Sequence, residues 1–247
     1  MARLPVAERR RRLLAAAFTV ISRSGVAGAT TRAVVDEAGM KLASFHYAFA
    51  SREELLAELV ADVIGRTEVV LTVPPAEGES LERLLERGLL RYLDTVREAP
   101  QRERAMFELT QYSMRTPGLE GLAARQYEGY RALAAVSLTE AAERSGCAWQ
   151  RPLDEVAAHL VALTDGLALA WLADADDARA HRTAAFAARA LAAEARPLAP
   201  GAAPPAEARP LAEARPLAAA AATASVASPP LVRTTTSAPP DRTGEPA

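Results

Sequence analysis

The sequence has 247 residues, half of them hydrophobic but only 5 % aromatic, with 29 basic and 31 acidic side chains and a net charge of −2. That length allows one or two domains with a sizeable core, and no unbroken apolar run reaches the 18 residues or more that a membrane span requires. The basic start MARLPVAERRRRLL lacks an apolar leader core and a cleavage site, and the lone Cys147 has no disulfide partner within the chain, so a soluble cytoplasmic protein with no membrane contact is expected.

The charge is unevenly distributed. Residues 1–57 carry nine basic and five acidic side chains, a formal +4, while the remainder carries a formal −6. A small basic segment on an acidic body suits a polyanion at one end and a different partner at the other.

Alanine is abundant, and it favours helix over every other state. The first predicted helix is amphipathic and begins near Arg9, with Leu13, Leu14, Ala17, Phe18 and Ile21 on one face and Gly25 at its end. Thr30 and Thr31 are candidate N-caps for a short helix through Ala38, and Gly39 is placed to stop it in the left-handed conformation. A second short helix is predicted from Leu42 to Ala48. Ser51 then caps a longer one that has Glu53 and Glu54 in its first turn, where the helix dipole favours negative charge.

From residue 51 to 193 the pattern is helix after helix, punctuated by Pro74-Pro75, Pro100, Pro117-Gly118, Gly146 and Pro152. Apolar residues recur at helical spacing, as in Leu160, Leu163, Leu167 and Trp171, and no segment alternates as a strand would. Residues 194–247 are expected to be a disordered tail. From residue 195 onward they hold 11 of the 17 prolines and no aromatic residue, and AEARPLA occurs at 193–199, 206–212 and 212–218. Such a composition buries too little apolar surface to offset chain entropy.

The chemistry concentrates in TTRAVVDEAGMKLASFHYAFASREEL, residues 30–55. Two short helices across a glycine-containing turn form a helix-turn-helix pattern. Val34, Val35 and Ala38 face inward from the first, and Phe45 and Phe49, four residues apart, face inward from the second. That leaves Lys41, Leu42, Ser44, His46 and Tyr47 outward, at the front of a helix able to enter a DNA major groove.

Residues 8–57 resemble the TetR family of transcriptional regulators. The likeness rests on Thr30-Thr31-Arg32, Ala38-Gly39-Met40, Ser44-Phe45-His46-Tyr47, Phe49, Ser51-Arg52-Glu53 and Leu55, in one order and spacing. The resemblance implies an all-α chain: a three-helix helix-turn-helix domain at 1–50, then a helical-bundle domain for ligand binding and dimerisation at 51–193, then the tail. It implies that Thr31 and Ser44 meet phosphate, that Arg32 reads a base, that His46 and Tyr47 touch backbone or bases, and that Arg52 replaces a phosphate-binding lysine. Lys41, the only lysine in the chain, stands where many relatives carry a small capping residue. Ala48 stands where a histidine or tyrosine is common, which deletes one backbone contact.

By the same resemblance the partners are a near-palindromic double-stranded operator, a second copy of the chain and a small-molecule effector. The dimer would form through the last two helices, around residues 166–191. Effector candidates are aromatic or polar side chains on an apolar face: Tyr92, Phe107, Gln111, Tyr127, Tyr130, His159 and Trp171. No cofactor, metal or catalytic residue is expected. The three histidines are far apart, and no HExxH, GxSxG, P-loop or GxGxxG occurs. The expected function is a repressor released from its operator by a small molecule. The alternative is a helical architectural or interaction module that touches DNA nonspecifically.

Overall fold

The computed structural model describes residues 4–67 and 78–199. Its order is α1 (Val6–Gly28), α2 (Thr31–Glu37), α3 (Leu42–His46), α4 (Arg52–Thr67), α5 (Leu81–Glu98), α6 (Pro100–Ser113), α7 (Leu122–Ser145), β1 (Cys147–Trp149), α8 (Leu153–Asp174), α9 (Asp177–Ala192) and β2 (Ala195–Pro197).

The local signals at the N-terminus act as their chemistry requires. The Thr30 side chain accepts from the Ala33 amide at 3.1 Å and so caps α2. Gly39 follows the C-cap at φ 63°, a left-handed conformation that only glycine adopts cheaply. Ser51 caps α4 by accepting from the Glu54 amide at 3.1 Å. Gly25 breaks α1 with φ 74° and ψ 170°.

Packing does not divide the chain at residue 50. The first core joins α1, α2 and α3 to α4 through Leu55, Leu56, Leu59, Val60 and Val63. It continues into α6 through Ala105, Met106 and Leu109. A second core gathers α5, α7, α8 and α9 around Leu93, Leu138, Val156 and Leu191. α4 and α6 therefore belong to the N-terminal packing unit as much as to the bundle.

The C-terminal end departs from the sequence expectation. Residues 195–197 pair antiparallel with 147–149 instead of starting a disordered tail at 194. The Leu198 amide donates to the Gly146 carbonyl at 2.7 Å, and Trp149 Nε1 donates to the Leu138 carbonyl at 3.2 Å. These are long-range pairings that composition cannot reveal. The rest of the predicted tail, 200–247, lies outside the described residues.

By length and composition alone α8 is apolar enough to cross a membrane, and 28 % of its most apolar window is buried. It packs against α7 and α9, and Leu169 on its outer face is exposed together with Phe186 of α9, which is 60 % exposed.

Candidate nucleic-acid interface and ligand pocket

Phe45 (0 % exposed) and Phe49, their rings 5.7 Å apart, pin α3 to the first core. The opposite side of α3 is thereby turned outward. Lys41, Leu42 and His46 are exposed, Tyr47 is 65 % exposed and Ser44 is half-buried. Thr31, half-buried, and Arg32, exposed, lie in the first turn of the neighbouring α2. Lys41 occupies the N-cap of α3 without a side-chain cap bond, so the amides at that helix start keep their capacity for an external acceptor. Ala48 is buried.

The basic side chains of this region fall into two classes. Arg9 is buried, donates to the Leu4 carbonyl at 2.9 Å and lies 5.8 Å from the Tyr47 ring. Arg10 donates to Glu58, to Glu54 at 2.9 Å and to the Ala48 carbonyl, and stacks 4.3 Å over Phe49. Its hydrogen bonds to Glu58 push its pKa still further up. Arg11 and Arg12 pair with Glu8, and Arg23 pairs with Glu37 at 3.2 Å. Arg32 and Lys41 are different: among the described residues up to 57 they are the basic side chains with neither ion pair nor hydrogen bond. The uncompensated positive charge thus sits at the starts of α2 and α3.

Arg52 belongs to the engaged class. Its guanidinium donates to the Ala29 carbonyl at 2.8 Å, to the Val26 carbonyl and to the Tyr112 hydroxyl at 3.0 Å. It lies 5.3 Å over the Tyr112 ring, and its hydrogen bond lowers the Tyr112 pKa. The break at Gly25 exposes carbonyls of α1, and Arg52 on α4 takes them. The same break frees the Val26 amide, which donates to Glu108 of α6 at 2.7 Å. The end of α1 is therefore a joint fastened to both α4 and α6.

Between α5, α6, α7 and α8 lies a cavity of about 170 Å³. Leu85, Leu89, Met106, Leu133 and Leu160 contribute to its apolar walls, and Tyr92, Tyr130, Arg102, Glu103 and Asp165 supply polar groups. Tyr92 donates to Glu103 at 2.9 Å, and Tyr127 donates to Asp165 at 2.5 Å. Gln126, 1 % exposed, donates from Nε2 to the Tyr130 hydroxyl at 3.0 Å, while its Oε1 has no hydrogen-bond partner. Burial raises the Tyr130 pKa to about 12, and burial is also the main cause raising Tyr92, Tyr127, Glu103 and Asp165.

Of the seven effector candidates, Tyr92 and Tyr130 line this cavity and Tyr127 stands behind Asp165. The others do not converge on it. Phe107 lines a shallow groove with Leu169 and Leu172, and exposed Gln111 accepts from Arg115 at 3.3 Å. His159, exposed, pairs with Glu194 at 3.1 Å, and Trp171 donates to Asp177 at 2.8 Å. Glu103 and Asp165 were not anticipated. Asp165 interrupts an apolar helix, which is a readable signal, whereas Glu103 passes for an ordinary dipole-favoured residue in a first turn. Among the described residues no three His, Cys, Asp or Glu side chains are grouped to hold a metal.

Residues 13–59 match the model of bacterial regulatory proteins of the tetR family, and 81–196 match that of the BetI-type transcriptional repressor C-terminal domain. The chain is 27 % identical over 179 residues to the HTH-type nicotine-responsive transcriptional repressor HdnoR of Paenarthrobacter nicotinovorans, covering 72 % of this chain and 90 % of that protein. A TetR-family regulator from Rhodococcus sp. superposes with a TM-score of 0.62 at 22 % identity, over 75 % of this chain and 98 % of that one. The multidrug binding protein EbrR, solved with ethidium, does so with a TM-score of 0.53 at 27 % identity, over 72 % and 98 %. Two family models matching in order, over the helix-turn-helix and over the bundle, place this chain in the TetR family as a DNA-binding transcriptional regulator.

Proposed function

We infer that the protein is a dimeric repressor, acting in the cytoplasm by binding alone and without catalysis, that loses operator affinity when a small molecule enters the α5–α8 cavity. The observation that carries the DNA reading is the pair of uncompensated cations, Arg32 and Lys41, on the face that Phe45 and Phe49 turn outward. Arg32 is suited to a bidentate contact with guanine and Lys41 to the phosphates of the groove wall. Thr31, Ser44, His46 and Tyr47 flank them. Arg52 supports the domain from inside.

The apolar outer face of α8 and Phe186 of α9 is assigned to a second copy of the chain, whose last two helices would complete a four-helix bundle. Two-fold symmetry then calls for half-sites about one helical turn apart. An effector-responsive reading is supported by the relatives: HdnoR is by name nicotine-responsive, and EbrR was solved with ethidium.

The test is a binding titration at stated salt on DNA flanking the protein's own gene and on random duplex of equal length. A specific regulator prefers the flanking DNA by at least about a thousandfold. Equal affinity for the two would leave only the architectural alternative.

A further inference from the structure

The cavity carries an electrostatic imbalance that its walls do not resolve. Glu103 enters from α6 and Asp165 from α8, and among the described residues neither has an ion-pair partner. Each carboxylate is met by a tyrosine hydroxyl, from Tyr92 and Tyr127 respectively, and a neutral donor cannot cancel a charge. Glu140 and Arg144, also on the wall, pair with each other at 3.5 Å. Arg102 lines the cavity too, but its attraction on Glu103 is weaker than the repulsion from Asp165. With both carboxylates ionised, the described residues lining the cavity carry one negative charge in excess, in an apolar setting where burying a carboxylate is costly.

We propose that the cavity takes a small lipophilic monocation, an arylalkyl amine or quaternary ammonium, whose charge lies between Glu103 and Asp165 and whose ring lies among the leucines. A dry cavity of about 150 Å³ accommodates one benzene, so this one, at about 170 Å³, has room for the ligand's ring. Tyr92 and Tyr130 add aromatic surface that attracts a cation. Binding would let both carboxylates ionise, as burial and mutual repulsion otherwise disfavour. The buried Gln126 Oε1, without a partner behind Tyr130, marks the same wall as still short of a donor.

This inference rests on the cavity being the effector site, and the test separates the two. Three probes are titrated calorimetrically into the full chain near neutral pH: benzyltrimethylammonium, its uncharged carbon isostere neopentylbenzene, and benzylsulfonate. The cation is expected to bind at least about tenfold more tightly than the isostere, and the anion not at all. Glu103→Gln and Asp165→Asn should each weaken the cation about tenfold and leave the isostere unchanged. The three-probe series on the unaltered chain decides even if a variant fails to fold.

Equal binding of cation and isostere, stronger binding of the anion, or no binding of any probe at about 1 mM overturns the cation assignment. Each probe is also assayed for release of operator DNA. A cation that binds without releasing DNA upholds the charge inference and defeats the effector reading. An isostere that binds and releases DNA as well as the cation does the reverse.

Discussion

Replacing Arg52 by alanine separates two roles that an arginine at this position could have. In the structure it donates to the Val26 and Ala29 carbonyls and the Tyr112 hydroxyl, and stacks on the Tyr112 ring. The Tyr112 hydroxyl can turn to water once its partner is gone. The two carbonyls at the broken end of α1 are part-buried and lose a charged donor, which costs about 1 kcal/mol each at the low end of the range for such bonds. The lost stacking adds roughly 0.5 kcal/mol. The total is about 2–3 kcal/mol, or a fall in Tm of roughly 5–10 °C for a domain of this size.

The salt dependence of DNA binding should not change, because the guanidinium is engaged within the chain. A phosphate-contacting arginine would behave oppositely, leaving Tm in place and lowering the slope of log affinity against log salt by about 0.9. Thermal melting and operator titrations across a salt series measure both quantities. An unchanged Tm with a reduced slope would show the inward assignment of Arg52 to be mistaken. Arg52→Lys sharpens the comparison: lysine keeps the charge a phosphate needs but lacks the fork that reaches two carbonyls, so most of the stability loss should remain.

Arg32→Ala should abolish discrimination at one operator base pair, worth roughly 1–3 kcal/mol, whereas Lys41→Ala should weaken all sequences alike and reduce the salt slope by about one. Gly25→Ala should destabilise by more than about 1–3 kcal/mol in chemical denaturation, the penalty of a residue other than glycine at positive φ with extended ψ, because its Cβ would also lie 2.6 Å from Glu108 Oε1; unaltered stability would mean that the break in α1 is absent in solution. Glu103 and Asp165 have pKa values raised from 4.5 and 3.8. Protonated, they favour the folded state, fully so below those values and progressively less as pH rises through the raised ones. The double variant Glu103→Gln/Asp165→Asn should therefore melt above the parent near neutral pH and match it below about pH 4; a gain that is the same at both pH values would argue against the titration. Phe186→Asp should convert the dimer to monomer at roughly micromolar concentration by light scattering, since a buried unpaired charge at the interface costs several kcal/mol.

The helix-turn-helix was legible because its determinants are local. Thr30, Gly39, Ser51 and the Phe45/Phe49 pair each act within a few residues of themselves, and side chains turned outward by such a frame can be named from spacing alone. The internal partners of Arg52 were not legible because they lie 23, 26 and 60 residues away. A first-turn arginine looks the same in sequence whether it points at water or at another helix. The cavity was half legible for a related reason. Tyr92 and Tyr130 share with Phe107, Gln111, His159 and Trp171 an aromatic or polar side chain on a helix, and only the rotation of each helix in the bundle distinguishes inward from outward. The pairing of 195–197 with 147–149 was hidden by its shortness and by its resemblance to the repeats that follow.

The joint at Gly25 has a genetic consequence. Arg52, Glu108 and Tyr112 touch neither the outward face of α3 nor the cavity wall, yet they hold the end of α1 to helices from both. Alleles there should form a class of their own in a reporter screen: repressors that still occupy their operator but have become deaf to inducer, or that let go without one. Substitutions on the α3 face would instead map as loss of repression, and those at Glu103 or Asp165 as altered inducer range. Sorting mutants by phenotype before sequencing them would therefore trace the connection between the two ends of the molecule without any further structure.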